Sequence, residues 1–180
     1  MTITSDATDN PEIVVQLTGN GTEVSSGLVM MNTPDSDPYG NSIQSRMRIR
    51  NDGDESVDLL TVNIEYYFHD SDLDIASLVW DYYWCSFGNV FSITFEDLGQ
   101  EYVSGSHRAN RKMVITFDGS QMLQSGQTAD IQFGVHTRSW SYNFDETDDW
   151  SYPVGSDSVA QNIVIRDALT GAVLFGHLPQ

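Results

Sequence analysis

Cysteine and lysine are almost missing from this 180-residue sequence, and each absence excludes a class of protein. Cys85 is the only cysteine, so the chain can form no internal disulfide and no zinc site built from several cysteines. Lys112 is the only lysine, and 8 basic side chains in total stand against 26 acidic ones, for a formal net charge of −18. So negative a chain repels nucleic acid, and we expect no nucleic-acid partner.

The acidic residues are spread over every segment of the chain. Together with the scarcity of lysine, this distribution favours a protein adapted to high salt, where screening shortens charge repulsion to about 3 Å at 1 M. An ordinary acidic extracellular protein is the second explanation. We favour a halophilic source.

Long apolar runs are also absent. No stretch of 18 or more apolar residues occurs, so we expect neither a membrane-spanning helix nor a membrane partner. The first ten residues, MTITSDATDN, lack the basic and apolar regions of a signal peptide. Residues 1–26 are rich in polar residues around one apolar stretch at 13–17, which predicts a linker or one added N-terminal strand.

From residue 27 onward, apolar residues recur at every second position, which is the period of a half-buried β-strand. The clearest examples are residues 46–50, 112–117 and 130–136, and polar turns separate these runs from their neighbours. No stretch has a convincing helical period. We therefore predict an all-β domain over residues 27–180, a jelly-roll β-sandwich of two antiparallel sheets with about nine strands.

A run of aromatic residues stands out at positions 80–84. In a regular strand Trp80, Tyr82 and Trp84 face one side, and Asp81 and Tyr83 face the other. Aromatic side chains exposed in a row are typical of a binding surface, because sugar rings present flat C–H faces that stack on them. Asp81 is placed to accept hydrogen bonds from sugar hydroxyls. For each single aromatic, packing in the core stays an open alternative.

Several short motifs follow one another along the chain. They are Asn41-Ser42-Ile43, Met47-Arg48-Ile49-Arg50-Asn51-Asp52-Gly53, Ile64-Glu65-Tyr66-Tyr67-Phe68, Gly88-Asn89-Val90, Leu123-Gln124-Ser125-Gly126, Trp140-Ser141 and Asp149-Trp150-Ser151-Tyr152. In order and spacing they resemble the family 3 carbohydrate-binding modules of cellulases and cellulosomal scaffolds. The resemblance covers roughly residues 27–179.

The resemblance implies a non-catalytic module that binds cellulose or a related β-glucan through a flat strip of aromatic and polar residues. It also implies a glycoside hydrolase domain in the parent protein, which the module directs to the polysaccharide. We therefore expect an extracellular protein whose signal peptide was removed or lies in a larger parent. By position, the strip holds Asp81, Tyr82 and Trp140, and Asn41 is an anchoring residue on the opposite face.

The strip departs from the family pattern at two places. The family's strip arginine falls on Gly134, and the loop after the aromatic run is too short for the strip tyrosine of some members. Trp84, Tyr83 or Arg138 are candidates to compensate. A second function follows from these departures, in which the module does not bind crystalline cellulose and instead packs against or assists a catalytic domain.

Two acidic segments are candidate metal ligands. In residues 70–74 an aspartate occupies every second position, as in a calcium-binding loop. Ile75, however, stands where an EF-hand needs glycine. The second segment is 145–149. The resemblance implies a structural calcium ion between them, and its predicted ligands are Asp148, Asp149, the carbonyl of His69, and Asp70 or Asp72. A solvated acidic surface accounts for the other acids.

No catalytic arrangement is visible in the sequence. A glycosidase needs two carboxylates that flank a cleft, whereas Glu65 is a lone acid on a strand and Glu96 and Asp97 are adjacent. The four histidines are scattered, and no nucleophile-elbow or phosphate-binding motif occurs. We predict that the chain is not an enzyme. A structural or sensory module remains a third class, and buried tips on the aromatic side chains would favour it.

Overall fold

The computed structural model describes residues 2–4, 12–14, 27–34, 37–153 and 158–180. Their strands are β1 (Thr2–Thr4), β2 (Glu12–Val14), β3 (Leu28–Pro34), β4 (Ser42–Asn51), β5 (Val57–Asp58), β6 (Val62–Phe68), β7 (Leu78–Cys85), β8 (Phe91–Ser104), β9 (His107–Phe117), β10 (Met122–Leu123), β11 (Thr128–Thr137), β12 (Ser158–Val159), β13 (Val164–Asp167) and β14 (Val173–Phe175). Short 3-10 helices span Leu59–Thr61, Ile75–Ser77 and Glu146–Asp148. None of the helices in these ranges has the length and apolarity needed to cross a membrane.

Two five-stranded sheets form the body of the molecule. The first sheet has the strand order β12-β3-β4-β11-β7, and the second has the order β14-β13-β6-β9-β8. Every strand pair within them is antiparallel. The prediction of an all-β sandwich of two antiparallel sheets is confirmed.

The N-terminal strands stand apart in this topology. Among the described residues, β1 and β2 pair with each other and with neither large sheet. Residues 15–17, which complete the apolar stretch of the predicted added strand, lie outside the described residues. The assignment of residues 1–26 as linker or added strand therefore stays a prediction.

The core lies between the two sheets and is filled by the residues of the period-two runs. Met47, Ile49 and Phe133 of the first sheet are fully buried, as are Ile64 and Ile115 of the second. Removing a side chain of this size from water contributes about 1.5–3 kcal/mol to folding. Most apolar packing thus uses the inner faces of the sheets, and a second, smaller apolar cluster of Tyr67, Ala109 and Val164 is buried on the outer side of the second sheet.

The outer face of the second sheet carries a buried ionic cluster around Glu65. Lys112 Nζ donates to Glu65 Oε1 at 2.9 Å, and Arg166 Nη2 donates to Oε2 at 2.9 Å. The Tyr67 hydroxyl donates to Oε2 at 2.6 Å. Burial acts to raise the pKa of the Glu65 carboxyl, but these donors outweigh burial and hold the pKa below its usual value. The Glu65 carboxylate on β6 is therefore ionised and binds cations on β9 and β13, which links the three strands.

Replacing Glu65 with glutamine is expected to lower the free energy of unfolding by about 3 kcal/mol, because two cations lose a buried anionic partner. The matched control is Glu96→Gln, which removes the exposed partner of Lys112 at 3.1 Å and is expected to cost less than about 1 kcal/mol. Urea unfolding of both variants measures the difference. Equal losses in the two variants would contradict the account of a buried cluster.

Candidate functional site

The pairing of β7 with β11 decides which residues of the aromatic run face outward. Asp81 lies opposite Gly134, and Trp84 lies opposite Gln132. Tyr82 lies opposite Phe133, which is buried in the core. Because opposite residues of an antiparallel pair point to the same side, Asp81 and Trp84 face outward and Tyr82 faces inward.

The structure corrects the prediction that Tyr82 lies on the outer strip. Tyr82 is only partly exposed and packs against the core, where its ring centroid is 5.6 Å from that of Phe91. Trp80 packs in the same way, at 5.3 Å from Phe91. The physical reason is strand alternation, which cannot place Tyr82 on the same side as its neighbour Asp81.

A β-bulge explains why two consecutive aromatics leave the core. The register between β7 and β11 shifts between Gln132 and Phe133, whose partners are Trp84 and Tyr82. Tyr83 is therefore the extra residue of the bulge, and such a residue re-aims the side chains around it. Tyr83 is 45% exposed and Trp84 is 46% exposed.

The ring of Tyr83 lies across Gly134. A Cβ atom added at Gly134 would lie 2.8 Å from Tyr83 Cζ and would also collide with the tyrosine hydroxyl. The space next to this position, where the family pattern expects an arginine, thus holds a tyrosine ring. Glycine inside a strand often marks the close approach of another group, and this is the signal by which the contact could have been found from the sequence.

Trp140, in the turn after β11, is the third exposed aromatic residue on this face. Its side chain is 45% exposed, and its ring stacks on His136 with centroids 3.4 Å apart and an interplanar angle of 18°. His136 and Gln132 are four residues apart on β11, so the Trp140 and Trp84 positions are separated by about 13 Å along the strand. We call Asp81, Tyr83, Trp84 and Trp140 the outer strip.

Asn41 is next to Trp140, and its predicted role as an anchoring residue on the opposite face stays a prediction. Its side-chain amide donates to the Trp140 carbonyl at 3.3 Å. The strand order supplies the reason, since β4 and β11 are neighbours and Ser42 pairs with His136. The residue before β4 and the turn after β11 therefore meet at one end of the same sheet. Arg138 lies exposed in that turn, and its backbone N–H donates to the Ser77 carbonyl at 3.0 Å.

A cavity of about 210 Å³ lies beside Tyr83 on the same outer face. Polar side chains from β4 and β11 make up half of its lining residues, and Arg46 is held there by an ion pair to Asp130 at 2.8 Å. Its lining residues are Thr33, Pro34, Gln44, Ser45, Arg46, Tyr83, Gln132 and Phe133. The outer strip is thus bordered by hydrogen-bonding groups.

The two acidic segments meet around the buried Asp149. Its Oδ1 accepts the backbone N–H of His69 at 2.7 Å. Burial raises the pKa of the Asp149 carboxyl well above its usual range, and the His69 N–H only partly offsets this effect. Neighbouring carboxylates raise the pKa further, and they belong to Glu146, Asp148 and Asp70.

The other predicted metal ligands lie close by, and the carboxylates of Asp70 and Asp148 face protein donors. Asp70 Oδ1 accepts the Tyr142 hydroxyl at 2.5 Å and the backbone N–H of Asp72 at 3.2 Å. Asp148 Oδ2 lies 3.3 Å from His69 Nδ1. A cavity of about 260 Å³ separates the two segments. Within the described ranges, no three His, Cys, Asp or Glu side chains converge as a metal site does.

The sequence of the chain is similar to a known protein family and to parts of longer proteins. A family model described as a cellulose binding domain matches residues 28–176. The chain is 31% identical over 151 residues to endoglucanase 5 of Pectobacterium carotovorum subsp. carotovorum, and 28% identical over 142 residues to β-mannanase/endoglucanase A of Caldicellulosiruptor saccharolyticus. These matches cover 81% and 77% of this chain but only 28% and 10% of the two relatives.

Solved structures share the fold. A family 3b carbohydrate-binding module from the major scaffoldin of Acetivibrio cellulolyticus superposes with a TM-score of 0.74 at 20% identity, covering 86% of this chain and 99% of that one. A family 3b scaffoldin module from the cellulosome of Bacteroides cellulosolvens superposes with a TM-score of 0.72 at 26% identity, covering 88% and 99%. The predicted jelly-roll sandwich is the fold of these neighbours.

Proposed function

The chain belongs to the cellulose binding domain family, the family 3 carbohydrate-binding modules, and from this membership we propose that it attaches a larger enzyme to cellulose. Modules of this family are non-catalytic. The observation that carries the proposal is the outer strip, which puts three exposed aromatic rings and a carboxylate on one face of a sheet.

The chemistry of the strip suits a β-glucan. Each pyranose ring has a flat C–H face, and stacking it on Tyr83, Trp84 or Trp140 removes apolar area from water at about 25 cal/mol per Å². The Asp81 carboxylate, whose side chain is 49% exposed, is available to accept hydrogen bonds from sugar hydroxyls. A separation of about 13 Å between the end rings lets more than one sugar of an extended chain bind at once.

The exchange of an arginine for glycine at 134 changes the balance of forces on the strip. An arginine would donate several hydrogen bonds to sugar hydroxyls, whereas the Tyr83 ring adds apolar stacking area at the same place. Affinity in this module then depends more on stacking than on charged donors. Stacking on a neutral polysaccharide depends little on ionic strength, so we propose that binding persists in high salt.

A catalytic partner and an extracellular location complete the proposal. Both curated relatives have the names of polysaccharide-degrading enzymes and are several times longer than the matched stretch. We propose that a glycoside hydrolase domain accompanies this module in its parent protein. Because the polysaccharide lies outside the cell, the module would act there.

The outer strip is tested by binding to microcrystalline cellulose. Alanine at Tyr83, Trp84 or Trp140 is expected to weaken binding about tenfold in each case, because one stacking interaction of about 1–1.5 kcal/mol is lost. The matched control is Tyr102→Ala on β8 of the second sheet, which is expected to bind as the unmodified protein does. Depletion isotherms at low and high salt measure the affinities.

Two outcomes would contradict this assignment. If the three strip variants bind as tightly as the Tyr102 variant, then the strip is not the binding surface. If the unmodified protein does not bind cellulose at all, the module belongs with those that assist a catalytic domain instead. Thermal melting of every variant shows whether the fold is retained.

We also propose that a structural calcium ion binds between residues 69–72 and 145–149. The buried Asp149 beside three other carboxylates supports this, because a cation would relieve their repulsion. Asp148 and Asp149, the His69 carbonyl, and Asp70 or Asp72 would hold the ion. Side chains alone do not form a cage here, so backbone carbonyls would supply a large share of the six to eight oxygen ligands.

Chelator is expected to lower the melting temperature of the protein. Calcium at 100 times its dissociation constant stabilises a domain by about 2.7 kcal/mol, which corresponds to roughly 5–10 °C for a chain of this size. Differential scanning calorimetry with chelator, then with calcium or magnesium restored, measures the shift. A melting temperature indifferent to chelator would count against the ion.

A further inference from the structure

His136 lies on the outer side of β11, yet only 5% of its surface is exposed, because Trp140 covers it. The two rings are stacked with centroids 3.4 Å apart. One face of the indole therefore rests on the imidazole, and the other face looks outward. The orientation of the Trp140 platform depends on the ring beneath it.

Both ring nitrogens of His136 face acceptors. Nδ1 lies 2.8 Å from the carbonyl oxygen of Thr137, and Nε2 lies 3.1 Å from Asp81 Oδ2. A neutral imidazole has a single N–H and can donate only one of these hydrogen bonds, whereas the doubly protonated ring donates both. The doubly protonated ring is therefore the form in which both ring nitrogens donate a hydrogen bond.

The surroundings of His136 contain one charged group that contacts it among the described residues. That group is the Asp81 carboxylate of β7. The residues opposite His136 in the sheet are Val79 on β7 and Ser42 on β4, and neither is charged. The indole of Trp140 stacks on the imidazole and covers its outward face. The balance of charge around the ring is thus set by Asp81.

The backbone of Trp140 needs support from its neighbours. Its φ of 55° lies in the left-handed region, which a bulky residue rarely adopts unless surrounding contacts hold it there. The Thr137 carbonyl accepts the Trp140 N–H at 3.0 Å, and Asn41 donates to the Trp140 carbonyl at 3.3 Å. The same Thr137 oxygen also faces His136 Nδ1, so the imidazole and the turn share one acceptor.

We propose that His136 is a positioning residue for the outer strip: its protonated ring carries Trp140 and is the cation that pairs with Asp81, in a sheet where position 134 has no side chain. Loss of the proton removes one of the two hydrogen bonds and weakens the contact between imidazole and indole. Sugar binding then weakens as the ring becomes neutral. This inference rests on the proposed function, because it concerns the same strip.

The test compares cellulose affinity between about pH 5 and 8, the range in which histidine titrates. The unmodified protein is expected to bind at least about threefold more tightly at the acidic end, because only a doubly protonated ring donates to both acceptors beneath Trp140. His136→Phe keeps a flat ring under Trp140 but carries no proton, so its affinity is expected to be independent of pH. His177→Gln, an exposed histidine elsewhere, is the matched control and should keep the pH dependence.

A second readout needs no cellulose. Tryptophan fluorescence is titrated over the same range in the unmodified protein and in Trp140→Phe, and the difference reports Trp140 alone. We expect a pH-dependent difference that disappears in His136→Phe. Binding that does not change with pH, or a fluorescence difference that survives in His136→Phe, would overturn the role of His136 and leave cellulose binding intact. Failure to bind at every pH would overturn the proposed function, while the fluorescence titration would still decide the role of His136.

Discussion

The register of β7 against β11 is the constraint on which the rest of the site depends. Up to Tyr82, the two strands alternate regularly, so Trp80 and Tyr82 pack into the core and Asp81 faces outward. The extra residue at Tyr83 then lets Tyr83 and Trp84 both leave the core. The bulge thus turns Trp84 outward beside Tyr83, which alternation already places on the outer side.

The two outer faces of the sandwich differ because their polar groups differ. On the second sheet, Glu65 binds Lys112 and Arg166 in a buried cluster that ties three strands together. On the first sheet, Asp81 and its partner His136 leave the carboxylate half exposed next to the aromatic rings. The first face is therefore available to a ligand, whereas the charges of the second are already neutralised within the protein.

The fold followed from the sequence because apolar residues at every second position determine which faces of the strands are buried. The residues of the outer strip could be predicted from the sequence only in part. Tyr82 is placed on the strip by position in the family resemblance, and strand alternation overrides that placement. The bulge at Tyr83, which turns Trp84 outward, leaves no mark in the period. The contact between Asn41 and Trp140 could not be predicted, because strand order depends on pairings between distant segments. His136 was missed since its importance comes from Trp140 and Asp81, which reach it only through the turn after β11 and the pairing with β7.

The most direct test follows the four indole N–H signals by NMR while a soluble cello-oligosaccharide is added. Trp84 and Trp140 lie on the outer strip, whereas Trp80 packs on the core and the Trp150 indole donates to the His177 carbonyl at 3.1 Å. We expect the Trp84 and Trp140 signals to shift together and the other two to stay in place. Shifts confined to Trp80 or Trp150, with Trp84 and Trp140 unchanged, would contradict this expectation.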